Sequence, residues 1–486
     1  MSCPIVGVLE DDLGLPVCVI APGGGLLRSQ VGASADTCLV RLLSHAWTVP
    51  TRHAAGSGRL LARTAHVNIV TVVHRIEASL LIPGRGEPIV DGVLVLDGST
   101  IAFAGPAADA PASDSSHVTH AAVVMPGLWD CHGHLLGVRT MDLSIIATEP
   151  IAVRAARCVP DLRAALDAGV TSVREVGGLG VYLARAVEEG TVIGPSIYAA
   201  GAILSTTGGH GDVHSVPLPW IADLSEHGSE LRLADGPAEC AKATREQLRR
   251  GARLIKICAS GGVLSELDDP IHQQFTVAEL RAIVEVAGLA ERVVAAHCHG
   301  KPGMMAALEA GVRTIEHGTY LDEEVCAVMK ETGAILVPTR TIIEELLATD
   351  AAPPWAMVKL RAVAGRHAES VALAHDRGVT IASGTDIALS GRELPNSWGR
   401  NGRELPLLVR AGLTPLQAIE AATATGPLTL GPQAPLSGQL VAGYAADVIT
   451  LDADPVADIA IMADPAHVVG VWKAGQPVKA PRAGVR

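Results

Sequence analysis

The most informative motif of this chain is Asp130-Cys131-His132-Gly133-His134, which lies just past the apolar run at residues 121–126. Side chains two positions apart on a β-strand point to the same face, so we expect His132 and His134 to converge on one point. Two converging imidazoles favour a transition-metal site. An isolated His-x-His pair more often marks two ordinary histidines at a strand end. Whether this pair binds metal therefore depends on which other metal-binding residues the chain supplies.

Further residues that can bind metal occur in four later strand-like segments, each of which follows a helix-like stretch. These segments are residues 253–258, 293–300, 314–318 and 379–386, and they supply Lys256, His297, His299, His317 and Asp386. The sequence has no His-Glu-x-x-His or Cys-x-x-Cys motif that competes with this set. Together the residues favour a metal centre over two unrelated histidines.

Lys256 lies inside the apolar run Arg-Leu-Ile-Lys-Ile-Cys at residues 253–258. A buried lysine is costly unless it is neutralised or modified, so its position needs a chemical reason. Carbamylation by carbon dioxide is one such reason, because it turns the amine into an anionic carboxylate that can bridge two cations. The alternative is a lysine whose stem lies along apolar side chains while its ammonium group reaches solvent at a barrel mouth.

In this order, the residues resemble the metal-dependent amidohydrolase superfamily, from about residue 67 to the C-terminus. The resemblance implies a binuclear site with two divalent metal ions, zinc being expected, and carbon dioxide bound as the carbamate of Lys256. The ligands that it implies, from barrel strands 1, 4, 5, 6 and 8, are His132 and His134, Lys256, His297, His317 and Asp386.

Five strings, at residues 126–132, 208–212, 256–265, 296–301 and 431–440, resemble a carboxypeptidase-like branch that includes ochratoxinase and Xaa-Pro dipeptidases. This resemblance implies hydrolysis of an amide bond next to a free carboxylate, in an N-acyl amino acid, a dipeptide or a substrate of the ochratoxin A type. Attack is expected from a hydroxide held between the two metals. Asp386 is expected to act as base and then as acid to the leaving amine, and its alternative role is that of a ligand only.

Four residues are candidates for substrate contact. His299 shares the inward strand face with His297 and is interpreted as a substrate or transition-state contact; the alternatives are a metal ligand and a residue that supports the ligands from behind. His210, in Gly-Gly-His-Gly-Asp at residues 208–212, is interpreted as a site residue or a loop anchor. Arg340 and Tyr320 are placed to bind a terminal carboxylate, or else they belong to the structure of the barrel mouth.

The element pattern predicts an α/β fold, a (β/α)8 TIM barrel at residues 126–429 with its active site at the C-terminal ends of the strands. The expected strands are residues 123–129, 170–176, 196–200, 254–259, 293–297, 314–317, 335–339 and 379–383. Alternating β-rich segments at residues 67–125 and 430–486 predict a small β-sandwich domain built from both chain ends. Residues 1–66 are interpreted as an N-terminal extension, without a signal sequence and without assigned chemistry.

Composition agrees with a large soluble enzyme, and the expected partner is a small-molecule substrate. The chain has 486 residues, is 48% hydrophobic and carries a formal charge of −13, which argues against nucleic acid or an anionic membrane as partner. No apolar run reaches the roughly 18 residues that a membrane span requires. We expect a cytoplasmic protein that forms a homo-oligomer.

Nine cysteines, an odd number in a long chain, predict reduced thiols rather than a disulfide framework. Strand alternation turns Cys131 and Cys298 away from their histidine neighbours, which favours packing over metal binding; Cys258 follows the same interpretation less firmly.

Three alternatives to the amide hydrolase stay open on the sequence. A mononuclear deaminase of the same superfamily would not require Lys256, and a cyclic-amide hydrolase would differ only in its pocket. A non-catalytic scaffold is disfavoured because no ligand position is lost.

Overall fold

The computed structural model describes residues 8–10, 16–18, 73–112 and 118–480. The chain divides into two compact units, residues 1–70 and 71–486. In the first unit the described residues form an antiparallel hairpin that pairs Val8 with Cys18. The interpretation of residues 1–66 otherwise lies outside the described residues, as do residues 67–72 at the start of the expected β-rich segment.

The strands are β1 (Val8–Glu10), β2 (Pro16–Cys18), β3 (Val73–Leu81), β4 (Ile89–Asp97), β5 (Thr100–Pro106), β6 (Val118–Pro126), β7 (Leu128–Val138), β8 (Val170–Glu175), β9 (Ser196–Ala199), β10 (Ile203–Ser205), β11 (Leu231–Leu233), β12 (Ile255–Cys258), β13 (Val294–Cys298), β14 (Thr314–His317), β15 (Ile335–Val337), β16 (Ile387–Leu389), β17 (Val448–Leu451), β18 (Val468–Lys473) and β19 (Gln476–Lys479). The helices are α1 (Ile151–Asp167), α2 (Gly180–Glu188), α3 (Leu218–Glu226), α4 (Pro237–Arg249), α5 (Val277–Gly288), α6 (Lys301–Ala310), α7 (Glu323–Thr332), α8 (Arg340–Thr349), α9 (Pro354–Asp376), α10 (Glu404–Arg410) and α11 (Pro415–Ala421). Short 3-10 helices occur at Ala107–Asp109, Leu143–Ala147, Asn401–Arg403, Gly426–Gln433, Ile459–Ala463 and Pro465–His467.

Both ends of the second unit contribute to one seven-stranded sheet, in the order β19-β18-β17-β6-β3-β4-β5. Its apolar core includes Ile76, Leu94, Val124, Val448 and Trp472, all fully buried. The alternating pattern of the two chain ends therefore predicted their pairing correctly. Among the described residues these strands form a single sheet, and the sandwich of two packed sheets stays a prediction, as do the proposed domain boundaries.

Parallel strands form two further sheets, in the orders β16-β7-β8-β9 and β11-β10-β12-β13-β14-β15. Backbone hydrogen bonds link the two sheets on both sides: from Ala382 to Leu336 and from Cys131 to Ser383 on one side, and from Arg253 to Ala199 on the other. Helices α1 to α7 lie between successive strands along the chain, and α8 and α9 follow each other between β15 and β16. In such an arrangement, the C-terminal ends of parallel strands gather on one face, where side chains from distant segments meet.

The first barrel strand differs from the expected one. Residues 118–126 belong to the terminal sheet, where β6 pairs with β3 and β17. The strand is interrupted at Gly127, and β7 starts at Leu128. Only glycine fits at residue 127, because an added Cβ would lie 2.2 Å from Thr171 Oγ1. His132 and His134 consequently lie within the first barrel strand, not past its end.

The last expected strand, residues 379–383, is reduced to a parallel bridge between Leu336 and Ile381. The short strands β10 and β11, which the sequence pattern did not predict, extend the larger sheet beside β12. Helices α5 and α11 both begin with a capping box, Thr276 with Glu279 and Thr414 with Gln417. Among the helices of residues 73–112 and 118–480, none combines the length and apolarity of a membrane span.

Candidate metal centre

Two clusters of metal-competent side chains meet at the C-terminal ends of the parallel strands. His132, His134 and Asp386 place their ligand atoms within 4.8 Å of one another, and His297, His299 and His317 do the same. The Asp386 Oδ1 atom lies 3.1 Å from His134 Nε2 and 3.6 Å from His132 Nε2. The ring centroids of His132 and His317 are 5.0 Å apart, so the two clusters adjoin each other.

Lys256, on β12, lines the same cavity as both clusters. Its side chain is buried, and its Nζ atom has no hydrogen-bond partner among the described residues. Burial lowers the pKa of this amine, which favours its neutral form. A buried amine without a hydrogen-bond partner, beside two histidine clusters and a carboxylate, is the arrangement that a bridging carbamate would complete.

Three of the histidines have one ring nitrogen held by a group that can only accept a hydrogen bond. His132 Nδ1 donates to Glu316 Oε2 at 2.7 Å, and His134 Nδ1 donates to the Gly177 carbonyl at 2.7 Å. His297 Nε2 donates to the Gly261 carbonyl at 3.1 Å. Because the held nitrogen carries the proton, the other nitrogen of each neutral ring presents a lone pair, as a metal ligand must.

His299 and His317 are held in a similar way by threonine hydroxyls. His299 Nδ1 lies 2.6 Å from Thr319 Oγ1, and His317 Nδ1 lies 2.7 Å from Thr339 Oγ1. Each therefore turns Nε2 away from its threonine. The position of His299 within the second cluster is compatible with ligation as well as with the expected substrate contact.

The electrostatics keep most of these imidazoles neutral. Burial lowers the pKa of His132 to about 4 and that of His299 to about 3, and it places the pKa values of His297 and His317 well below the ordinary range. His134 is the exception: burial alone would lower its pKa, but the adjoining Asp386 outweighs burial and raises it. Neutral imidazole is the form that binds metal. The low pKa values therefore leave most of these ring nitrogens unprotonated and able to bind a metal cation.

A buried ion pair orients His132 from behind. Arg174 on β8 donates to both carboxylate oxygens of Glu316, at 2.8 and 2.7 Å, and both side chains are fully buried. Burial alone would raise the pKa of Glu316, but Arg174 and His132 outweigh it and hold this pKa well below its usual range. An ionised carboxylate that accepts from a ligand histidine fixes the ring and raises its basicity. Sequence reasoning missed this pair, although each residue is a charge in a strand that is buried along its whole length.

Asp130 fixes the other side of the site. Its carboxylate accepts hydrogen bonds from the His132 backbone at 3.1 Å, from the Thr385 backbone at 3.1 Å and from the Asn401 amide at 2.7 Å. It thereby ties β7 to the segment that presents Asp386. Three residues of the site, His317, Thr339 and Asp386, have φ angles of 69°, 57° and 60°, a strained region for residues other than glycine that often marks functional positions.

We expect Glu316→Gln to weaken metal binding by about ten- to hundredfold, because a neutral amide orients and polarises His132 less well than a carboxylate. Competition with a chromogenic chelator would measure the affinity. The matched control is Glu309→Gln, at an ion pair whose glutamate is 56% exposed, and it should leave the affinity unchanged. Equal affinities for the wild type and Glu316→Gln would contradict the orienting role.

The clusters line one end of a cavity of about 160 Å³. His210 lines it too, with its ring stacked on His297 at a centroid distance of 4.1 Å. The cavity wall is mainly apolar and comes from the end of β7 and the segment after it, from α8 and from α9; its residues include Leu136, Met141, Ile146, Ile342, Ile343, Leu346, Trp355, Leu360 and Val363. A few polar groups converging at one end of an apolar cavity are typical of a small-molecule site.

Two of the residues expected to contact substrate, Arg340 and Tyr320, lie outside the cavity. Neither Arg340 nor Tyr320 is among the lining residues of this cavity. Arg340 begins α8 and is only 7% exposed; its guanidinium contacts Glu344 and lies 3.0 Å from His367 Nδ1. Tyr320 packs against the apolar cluster that includes Ile342. Their positions favour the alternative interpretation, in which both residues support the barrel mouth.

The cysteines near the site are thiols. Burial raises the pKa values of Cys131, Cys258 and Cys298 to about 12 each. Cys131 and Cys298 pack in apolar clusters, as expected from strand alternation. Cys258 lines the cavity, but as a neutral thiol it is a poor ligand.

The parallel strands bring histidines, an aspartate and a buried lysine together in one cavity, an arrangement that could hold metal ions. The Amidohydrolase family matches residues 123–478, and the chain belongs to this family. Its fold is accordingly that of a TIM-barrel amidohydrolase, as the sequence predicted, and the chain is an enzyme that hydrolyses amides.

Ochratoxinase of Aspergillus niger is 44% identical over 437 residues, which cover 85% of this chain and 88% of the relative. Its crystal structure superposes with a TM-score of 0.80 at 42% identity, over 86% of this chain and 98% of that one. A prolidase complexed with N-methylphosphonate-L-proline has a TM-score of 0.77 at 33% identity, over 84% of this chain and 100% of that one. A Xaa-Pro dipeptidase with bound methionine has a TM-score of 0.73 at 30% identity, with the same two coverages.

Proposed function

We propose that this enzyme is a binuclear metal-dependent hydrolase of amides whose amine half is an amino acid with a free carboxylate and whose acyl half is bulky and apolar. The observation that carries the proposal is Lys256: its Nζ atom is buried without a partner among the described residues and faces the same cavity as two histidine clusters. The similarity to ochratoxinase and to prolidase-like enzymes supports the substrate class.

The donor set fits two divalent cations, with zinc as the expected metal. His132, His134 and Asp386 would hold one ion, and His297 and His317 the other, with His299 beside them. Imidazole nitrogens together with a carboxylate are ligands that zinc prefers. When bound, a metal pair lowers the pKa of water towards neutrality and polarises a carbonyl oxygen.

Lys256 would bridge the two ions as its carbamate. Addition of carbon dioxide requires an unprotonated amine, and burial lowers the pKa of Lys256 in that direction. The amine nitrogen forms a bond to the carbon of carbon dioxide and loses a proton to solvent, which leaves one negative charge on the new carboxylate. That charge compensates the cations, while uncompensated burial of an ammonium would be costly.

Asp386 is the group that would move the proton. It is buried, and although burial alone would raise the pKa of its carboxyl, His132, His134 and Lys256 outweigh burial and lower it. The carboxylate is therefore ionised and ready to accept a proton from water at the start of the reaction. It would then return that proton to the leaving amine nitrogen.

The apolar wall explains how a bulky acyl group would be held. Leu136, Met141, Ile342, Leu346 and Trp355 surround the space next to the histidines. No arginine lines this cavity among the described residues, so the carboxylate would be bound by histidine and hydroxyl donors instead of the arginine fork expected from the sequence.

We expect amidation of the substrate carboxylate to lower kcat/KM by roughly ten- to hundredfold, since a hydrogen bond to a charged group contributes about 1.5 to 3 kcal/mol. The measurement compares N-benzoyl-phenylalanine with its carboxamide, using the zinc-loaded enzyme. Arg340→Met should show the same ratio as the wild type, because Arg340 contacts Glu344 and His367 instead of the cavity.

Equal turnover of the acid and the amide would contradict carboxylate recognition and indicate a general amidase. Turnover of cyclic amides alone would indicate a cyclic-amide hydrolase. A deaminase would release ammonia, which a coupled assay detects separately from the cleaved amino acid.

A further inference from the structure

A second cavity, of about 490 Å³, lies on the side of the barrel where β9 and β12 begin. Arg253 lines it two residues before the start of β12, while Lys256, further along the same strand, lines the metal cavity. No described residue lines both cavities. Small-molecule sites have volumes of about 300 to 1,000 Å³, so the second cavity is large enough for a ligand of its own.

The guanidinium of Arg253 is the group in this cavity that the fold leaves without a partner. It donates no hydrogen bond to any described residue and forms no ion pair with one. Its Nε atom is buried, and its two terminal nitrogens, which are not among the buried unpartnered atoms, reach open space. A guanidinium has five N–H donors and no acceptor, so the described residues leave all five donors unused.

The other cation that lines the cavity is already compensated. Lys473 Nζ lies 2.6 Å from Asp447 Oδ2, and Asp447 Oδ1 accepts from the Ala474 backbone at 2.8 Å. Glu188, at the end of α2, lines the cavity with an exposed side chain and forms no ion pair with Arg253. Among the described residues, no carboxylate is therefore paired with the Arg253 guanidinium.

An aromatic stack holds the guanidinium in place. Arg253 Cζ lies 5.8 Å from the centroid of the Tyr198 ring, and that ring stacks on the buried Trp129 at 5.0 Å. Contact through an aromatic face leaves the edge of the guanidinium free to donate to a planar anion. Burial, together with Asp447, raises the pKa of Tyr198 to about 12, so its hydroxyl also keeps its proton.

The rest of the cavity wall is largely apolar and comes from α2, the segment after it, β9 and β19. Contact with such a wall would strip water from a strongly hydrated dianion such as phosphate, at high cost in free energy. A singly charged carboxylate on an apolar body fits both the single unpaired cation and the wall. The apolar residues of the wall include Val187, Val192, Ile193, Ile197 and Val478.

We propose that this cavity binds a small carboxylic acid with an apolar body, as its carboxylate. The carboxylate accepts hydrogen bonds from the terminal nitrogens of Arg253, in the paired geometry that guanidinium and carboxylate groups share. The apolar body lies against the valine and isoleucine side chains of the wall. The inference goes beyond the proposed function, because this site is separate from the metal centre and holds its ligand without hydrolysing it.

The test is a titration of zinc-loaded enzyme with 3-phenylpropionate, followed by NMR of ring-labelled tyrosine. The chain has four tyrosines, and the Tyr198 signal, assigned by its loss in Tyr198→Phe, reports on this cavity and not on the metal centre. We expect the Tyr198 signal to shift until one equivalent is bound. Acetate, which lacks the body, and 3-phenylpropanamide, which lacks the charge, should bind roughly tenfold more weakly or worse.

Variants identify the residue that binds the carboxylate. Arg253→Met should weaken binding roughly ten- to hundredfold, the effect of removing hydrogen bonds to a charged group. Ile193→Asp, at a 59% exposed position of the wall, should also weaken it, because the new carboxylate repels the ligand. Arg281→Met, at a 61% exposed arginine on α5, is the control and should match the wild type.

Three results would overturn the proposal. They are a Tyr198 signal that 3-phenylpropionate does not shift, equal affinities of the wild type and Arg253→Met, and tighter binding of inorganic phosphate than of 3-phenylpropionate. Because the readout is binding at Tyr198, failure of amide hydrolysis would count against the proposed function and leave this test intact.

Discussion

Lys256→Ala is expected to lower kcat by about three orders of magnitude or more and to reduce the bound metal from two equivalents to one or none. The physical reason is the loss of the bridging anion: without it, two neighbouring cations would repel each other, and the lowering of the pKa of water towards about 7 that a metal pair would supply is lost. The measurements are steady-state hydrolysis of N-benzoyl-phenylalanine and metal analysis of the same preparation.

The matched control for this variant is Lys242→Ala, at a lysine that is 71% exposed, which should keep both metals and full activity. Carbon-13 NMR after exposure to labelled carbon dioxide should show a carbamate signal in the wild type and none in Lys256→Ala. Full activity with two bound metals in Lys256→Ala would remove the bridging lysine from the mechanism.

Asp386→Asn is expected to lower kcat by about two or more orders of magnitude, the range typical of groups that transfer a proton in the transition state. The amide keeps the shape of the side chain but cannot accept a proton from water. Its neighbours support this role, since Asp386 Oδ1 lies 3.1 Å from His134 Nε2 and a φ of 60° holds the residue in place.

Metal content separates the two possible roles of Asp386. If the residue moves the proton, Asp386→Asn should retain its metal and its melting temperature and lose only kcat. A modest loss that follows reduced metal occupancy would make it a ligand alone. Asp376→Asn, at an exposed position at the end of α9, is the control for the change of charge.

The sequence predicted the clustered residues well because their spacing follows a physical rule. His132, His297, His317 and Asp386 come from separate segments, and parallel strands bring the C-terminal ends of such segments to one face. Lys256 was identifiable because a charge in an apolar run needs an explanation. These residues lie together in the structure, and their roles in metal binding and catalysis are the proposal made above.

The residues that hold the histidine rings in place by hydrogen bonds could not be predicted in the same way. Glu316 and Arg174 are 142 positions apart, and only the arrangement of β8 and β14 brings the carboxylate and the guanidinium together. Each charge lies in a predicted strand segment, but the sequence does not show that the two are partners. The hydrogen bonds between His210 and Ser265 and between Ser265 and Asp268 likewise depend on how the loop after β12 folds.

Arg340 shows where reasoning from strand ends fails. It follows β15 as expected for a residue at the barrel mouth, but the preceding Thr339 has a φ of 57°, and the chain enters α8 directly at Arg340. The guanidinium is thereby used within the protein, by Glu344 and His367. The backbone conformation at one residue thus decides whether the Arg340 side chain reaches the cavity or contacts other residues of the protein.

The central claim is a binuclear site, and a metal titration of the metal-free enzyme tests it most directly. Zinc is added in fractions of an equivalent in the presence of bicarbonate, and hydrolysis of N-benzoyl-phenylalanine is measured together with bound zinc after desalting. The account predicts that activity rises until two zinc ions are bound per chain and then stays constant. Full activity at one bound zinc per chain, with no further gain at the second, would contradict it.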